Sequence, residues 1–229
     1  LMKHPDIAVI LATGGEAMVK AAYSSGNPAI GVGPGNGPAF IERTADPATA
    51  VAMIIDSKTF DNGVICASEQ SVVVETVNAD AVISEFKRQG GYFLTADESE
   101  KLAKFILRAN GTMNPQIVGK TAVKIAEMAG FYVPESTTVL LSRQTDASKS
   151  NPYAREKLCP ILAFYVEESW LAACERCIEI LHIEGAGHTL CIHSRDEAVI
   201  KEFILRKPVS RLLVNAPGAL GGIGGATNI

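Results

Sequence analysis

The chain has 229 residues, of which 47% are hydrophobic and 20% charged, enough to bury a sizeable core and to exclude bulk disorder. That length fits one large domain or one and a half small ones. Lys and Arg number 21 against 25 Asp and Glu; the net charge of −4 argues against a dedicated nucleic-acid binder, whose affinity comes mainly from phosphate neutralisation.

In chain order, the apolar run Ile7–Ala12 is continuous rather than alternating, which predicts a strand buried on both faces. It is too short to cross a bilayer and is not expected to act as a signal peptide. Thr13-Gly14-Gly15 breaks the run, and Glu16–Ser24 predicts a short helix. Pro28–Gly33 predicts a second strand, leading into a glycine-dense loop that ends at Pro38. Asp46 can cap a helix and Pro47 suits its first position, so a helix is expected from there to about Phe60, stopping at Asn62-Gly63. Ser71–Val77 predicts a Val-rich strand. Thr95-x-x-Glu98 is a capping box that opens a helix ending near Asn110-Gly111, and Thr121–Met128 predicts a helix closed by Gly130. Further strands are expected at Thr138–Ser142, Ile161–Val166, Thr189–His193 and Arg211–Asn215, with helices at Ser169–His182 and Arg195–Leu205. Strands alternating with helices give an α/β fold, a mostly parallel sheet with helices on its faces. The chain opens almost on a buried-type strand and closes on Gly221–Gly225, which reads as a loop, so a fragment of a longer protein is expected.

The motifs divide into weak and informative ones. The loop 31–37 has the spacing G-x-G-x-G-x-G, prolines at 34 and 38 and no helix start after it. It does not fit a dinucleotide fingerprint and reads as a tight crossing between domains. Thr13-Gly14-Gly15 is either an anion site at a helix N-terminus or an ordinary strand-to-helix turn. Gly119-Lys120-Thr121 resembles the end of a P-loop, but Asn114 stands where that motif needs glycine. Five cysteines are an odd and sparse set, which points to a reducing compartment. Cys174-x-x-Cys177 has no second pair at zinc spacing and reads as a packed helix face, while Cys159 and Cys191 are expected to be buried and inert. His182, His188 and His193 fall on a helix, a turn and a strand, so no shared metal site is expected. Asp61–Ser68 is the most informative stretch: a helix ends, Asn-Gly turns, and Cys66 follows among small residues ahead of a buried strand. Such a cysteine is either a held, reachable thiol or an ordinary core residue.

The segment Phe60–Val74, FDNGVICASEQSVVV, resembles the active-site segment of CoA-acylating aldehyde dehydrogenases, the branch that includes the aldehyde half of bifunctional aldehyde–alcohol dehydrogenases. Leu11–Gly15, Ala21–Ser25, Pro28–Gly33, Glu156–Pro160, Gly187–Thr189 and Gly221–Gly224 carry the same likeness, which spans nearly the whole chain. The resemblance implies a fold with a Rossmann-like cofactor domain, a catalytic domain and an oligomerisation arm. Residues 1–35 would be the end of the cofactor domain, 36–215 the catalytic thiol domain, and 216–229 a return towards the cofactor domain. A full subunit in that family is roughly twice this length, so the first part of the cofactor domain is expected to be absent. The end, to Asn228, looks slightly more like the stand-alone branches than the bifunctional one.

Roles carry over by position, as what the resemblance implies. Cys66 matches the nucleophile that forms a thiohemiacetal and then a thioester, with its own amide as one oxyanion donor. The second donor, a side-chain amide, belongs to a segment outside this chain. Glu156 matches the acid that holds the nicotinamide ribose, and Thr13, Gly14 and Gly15 match the loop near the cofactor's ribose and phosphates. His188 is a candidate for deprotonating CoA or orienting the site, with a structural turn histidine as the alternative. No metal is implied. Hydrolytic relatives place a glutamate in the segment matching Gly31–Gly35, and this sequence has no acid there, the nearest being Glu16 and Glu42. The acyl group is therefore expected to leave to CoA. The implied cofactor is NAD, with NADP as the alternative, and CoA is the co-substrate. The implied partners are a small aldehyde and copies of the same chain, with neither nucleic acid nor membrane. The implied location is cytoplasmic, with a bacterial microcompartment as the alternative. Hydrolytic aldehyde oxidation and a non-catalytic assembly segment of a filament-forming enzyme are the competing functions. The pattern places neither Arg143 nor Arg155 in a pocket for an anionic substrate.

Overall fold

The structure, a computed structural model, describes residues 1–225. What the sequence suggests for residues 226–229, the end of the 216–229 segment and of the stand-alone likeness, lies outside them. The chain divides into two compact units, 1–35 and 36–229.

In the first unit, β1 (Ile10–Thr13) and β2 (Ala29–Val32) pair in parallel, with α1 (Glu16–Tyr23) between them. The strand expected over Ile7–Ala12 is shorter and less covered than its composition suggests. It begins at Ile10, and Leu11 is 74% exposed. An unbroken apolar run tells that a strand has two apolar faces; it does not tell how many layers lie against them.

The second unit is built on a seven-stranded sheet of order β5-β6-β7-β4-β3-β8-β9, and every pairing between its described strands is parallel. Its strands are β3 (Pro38–Ile41), β4 (Ser71–Glu75), β5 (Gly91–Phe93), β6 (Val139–Arg143), β7 (Ile161–Glu167), β8 (Thr189–His193) and β9 (Arg211–Val214). Its helices are α2 (Pro47–Thr59), α3 (Thr76–Arg88), α4 (Ala96–Ile106), α5 (Ala122–Met128), α6 (Trp170–Ile183), α7 (Glu197–Arg206) and α8 (Gly218–Gly222). Successive side chains of a strand point to opposite faces. Phe40, Val73, Leu140 and Tyr165 join the core under α4–α7, while Ala39, Ile41, Val72, Val74 and Phe164 join the core under α2 and α3. Both faces are covered, which is why these strands read as continuous apolar runs.

Three elements escape the sequence reading. β3 opens on Pro38 inside the glycine-dense stretch, at the first strand position, where a missing N–H is tolerated. α3 follows β4 without a turn; its cap is Glu75 with Asn78 at the third position, a pairing outside the usual Ser/Thr-x-x-Glu pattern. β5 has three residues. Boundaries differ as well: β4 stops at Glu75, two residues before the expected Val77, because α3 opens at Thr76. α4 ends at Ile106 because Leu107 bridges antiparallel to Met113. The final glycines, expected as a loop, include the short helix α8 over Gly218–Gly222.

The carboxyl ends of the central strands are closed by buried polar groups. Glu42, after β3, accepts from the Thr44 N–H at 2.8 Å and from the Ser194 hydroxyl at 3.0 Å. Glu75, at the end of β4, accepts from the Arg43 N–H at 2.9 Å and its Nε at 3.0 Å. The opposite, amino ends of the strands carry the candidate site.

Candidate active site

Parallel neighbours begin on the same edge of a sheet, so the loops leading into β7, β4, β8 and β9 gather there. They carry Glu156, Cys66, His188 and Arg211.

Cys66 is set by a sharp reversal. α2 stops at Thr59, and Asp61 and Asn62 both take φ near 49°, followed by Gly63 at 76°. Asp, Asn and Gly tolerate this left-handed region better than other residues. A β-carbon on Gly63 would lie 2.9 Å from the Cys159 carbonyl carbon and 3.0 Å from the Lys58 carbonyl oxygen, so only glycine lets the turn seat against the 159 stretch. The Cys66 side chain is half-buried. Burial, and then the Glu156 carboxylate, push its thiol pKa up from the ordinary value. The backbone N–H of Cys66, the Arg211 guanidinium and the N–H of Ala67 pull the other way.

His188 is half-buried, with Nδ1 3.1 Å from the Thr189 hydroxyl. The same hydroxyl accepts from Arg211 Nη1 at 3.2 Å. Burial, and then Arg211, lower the His188 pKa, which keeps the ring neutral at pH 7. Arg211 therefore acts on both Cys66 and His188 and is the group the sequence reading missed. Its only trace is a charged residue opening an otherwise apolar strand.

Behind the thiol, Glu69 is fully buried and accepts the Gly218 N–H at 2.8 Å, while the Ser57 hydroxyl accepts the Ala219 N–H at 2.8 Å. These two bonds fasten the start of α8 over the Cys66 loop. Glu69, Ser57, Gln70 and Lys58 are further site-supporting residues that their types alone do not mark.

Other candidates fall elsewhere. Thr13, Gly14 and Gly15 lie in the first unit, where β1 ends and α1 begins; Gly15 is the N-cap, and no side chain caps the helix. Cys159, Cys174, Cys177 and Cys191 are buried. His182 is exposed on α6 and His193 is buried at the far end of β8. Among the described residues, no group of three or more His, Cys, Asp or Glu is placed to hold a metal ion. Arg155 is paired with Glu184, and Arg143 stacks 5.6 Å from the centre of the Phe93 ring.

The aldehyde dehydrogenase family model matches residues 1–148. The chain belongs to the aldehyde dehydrogenase family. It is 49% identical to the bifunctional aldehyde-alcohol dehydrogenase AdhE of Escherichia coli (strain K12), over all of this chain and 26% of that protein. A crystal structure of a probable aldehyde dehydrogenase from Listeria monocytogenes EGD-e superposes with a TM-score of 0.98 at 66% identity, over all of this chain and 51% of that one. The Rhodopseudomonas palustris propionaldehyde dehydrogenase, solved with bound CoA and an acylated cysteine, superposes with a TM-score of 0.91 at 29% identity, over all of this chain and 51% of that one. This aldehyde dehydrogenase chain thus spans about a quarter of the bifunctional relative and about half of the two solved structures. Its α/β architecture, a parallel sheet flanked by helices, is that of those structures.

Proposed function

We propose that this chain carries the thiol half of a CoA-acylating aldehyde dehydrogenase, converting aldehyde, CoA and NAD to acyl-CoA and NADH, reversibly. The observation that carries the reading is Cys66, half-buried and held by the Asp61–Gly63 reversal at the amino edge of the sheet, where Arg211 and Glu156 act on its thiol. The acylated cysteine and bound CoA of the R. palustris relative support it.

The Cys66 thiolate attacks the aldehyde carbonyl, and the resulting alkoxide is held by the Cys66 N–H. When bound, the nicotinamide supplies the hydride acceptor, leaving an acyl thioester on Cys66. Glu156 would hold the nicotinamide ribose, and the Thr13–Gly15 turn would offer its backbone to the cofactor's ribose and phosphates. Neutral His188 takes the proton of the CoA thiol. The CoA sulfur then attacks the thioester carbonyl, the bond to Cys66 breaks, and the thiolate is restored. Arg211 stabilises that thiolate as it leaves.

Hydrolysis needs a carboxylate base at the thioester, and the segment 31–35 supplies none. Glu42 is committed to Thr44 and Ser194 at the other end of the sheet. The finer reading is NAD rather than NADP, a homo-oligomeric assembly and a cytoplasmic location. None of the described helices is long and apolar enough to cross a membrane.

The test is NADH appearance in the native full-length protein with acetaldehyde, with and without CoA, beside Cys66→Ser. CoA-dependent signal lost in the variant supports the reading. Equal turnover without CoA rejects it.

A further inference from the structure

Glu156 sits in an irregular stretch ahead of β7, yet the backbone on both sides of it is fixed. Gln70 Oε1 accepts the Lys157 N–H at 2.8 Å. The Lys58 ammonium donates to the Lys157 carbonyl at 3.1 Å and to Gln70 Oε1 at 3.2 Å. The Lys157 ammonium turns back to the carbonyls of Tyr153 and Arg155, each at 2.6 Å. The peptide planes before and after Glu156 are thus all held by side chains. Lys58, Gln70 and Lys157 are completely buried.

The holding groups come from the thiol's own stretch. Gln70 follows Cys66 in the loop leading into β4, and Lys58 is in the last turn of α2, just before the Asp61–Gly63 reversal. Burying two ammonium groups against neutral carbonyls is expensive, and an apolar side chain would fill the same space more cheaply. Burial lowers the Lys58 pKa to about 8 and that of Lys157 well below its usual value. What this costly arrangement supplies is a rigid link between the Cys66 loop and the Glu156 loop.

We propose that Lys58 and Gln70 are positioning residues that set Glu156 relative to Cys66, so that the carboxylate keeps its place for a nicotinamide ribose. The inference rests on the reading of Glu156 given under the proposed function. The Lys58 ammonium bonds to Gln70 and to the Lys157 carbonyl, away from the thiol, so Lys58→Met moves Glu156 and leaves the thiol chemistry in place; Gln70 also donates its amide to the Ser68 carbonyl at 3.3 Å, two residues past Cys66.

The experiment uses the native full-length protein carrying Lys58→Met, Gln70→Met or Glu156→Gln, and each of the first two combined with the third. NAD affinity, cofactor-free alkylation of Cys66 by iodoacetamide and hydrogen exchange of the Lys157 amide are measured. Lys58→Met and Gln70→Met are each expected to weaken NAD binding about tenfold by leaving buried Lys157 backbone groups unpaired. Lys157 exchange accelerates, and alkylation keeps its rate in Lys58→Met. On the Glu156→Gln background the same substitutions add little, because both act through one carboxylate. Lys58→Gln, which keeps a donor, restores part of the affinity. Should Lys58→Met fail to fold, Gln70→Met carries the same comparison of affinity. Unchanged NAD affinity in the folded variants, full additivity with Glu156→Gln, or parallel loss of alkylation in Lys58→Met each overturns the proposal. Unchanged affinity in Glu156→Gln alone rejects the ribose reading and the proposal with it. Weakened affinity there but not in Lys58→Met rejects the proposal only.

Discussion

Gly222 lies so close to Ala67 that a β-carbon on it would sit 2.4 Å from the Ala67 side chain and 3.7 Å from Arg211 Nη1. The last residue of α8 therefore rests against the residue next to Cys66 and beside the cation that acts on the thiol. Gly222→Ala cannot be accommodated without moving the Cys66 loop or α8. Overpacking of this kind costs about 1–3 kcal/mol. The expected result is a lower melting temperature together with a changed alkylation rate at Cys66. A variant with wild-type stability and wild-type thiol reactivity would show that the contact relaxes without consequence.

Burial raises the Cys66 pKa and lowers that of His188; the Arg211 charge lowers both, opposing burial at the thiol and adding to it at the imidazole. Arg211→Gln removes the charge, so both groups titrate higher. The thiolate fraction at pH 8 falls, and cofactor-free alkylation of Cys66 slows severalfold. The pH profile of alkylation moves to higher pH while its plateau is kept. An unmoved profile would remove Arg211 from the site's electrostatics.

The alternation of strands and helices was readable because both faces of the second unit's sheet are covered, which makes strands such as Val72–Val74 and Leu140–Leu141 unbroken apolar runs between clear helix caps. Cys66 was readable because Asp61-Asn62-Gly63 announces a reversal, and the family likeness then supplied a role for the thiol. Arg211 was not readable, since its importance comes from a strand edge that only the tertiary order β8-β9 brings beside Cys66. Lys58 and Gln70 were hidden for a different reason: their types suggest surface, and only burial against Lys157 reveals their work. β3 was lost behind Pro38, which marks a loop in sequence and a strand start in space.

Glu69 offers a test of how the thiol loop is backed. Its Oε1 accepts the Gly218 N–H, and burial raises its pKa while the Ser57 hydroxyl lowers it. Glu69→Gln keeps an oxygen for Gly218 and is expected to hold stability within about 1 kcal/mol. Glu69→Leu leaves that N–H buried and unpaired, and is expected to lose about 1–3 kcal/mol. Urea denaturation of both variants makes the comparison. Equal losses would mean that the hydrogen bond to α8 contributes nothing beyond packing.

His193, at the far end of β8, supplies the clearest pH signature. It is 2% exposed, and burial lowers its pKa to about 4 from the usual 6.5; Asp46 and Arg195 line the same small cavity. The native state keeps this ring neutral, whereas the unfolded chain takes up its proton as pH falls through 6.5. Between pH 6.5 and 4 the unfolded state thus binds more protons, and stability drops as pH falls. At about 1.4 kcal/mol per unit, the His193 contribution lost by pH 4 is about 3 kcal/mol. Below pH 4 the native ring protonates too and the loss levels off. His193→Phe removes the titration, so its stability should fall less steeply than the wild type's between pH 7 and 4, measured by urea denaturation at a series of pH values. Parallel curves for the two proteins would show that other groups govern the acid limb.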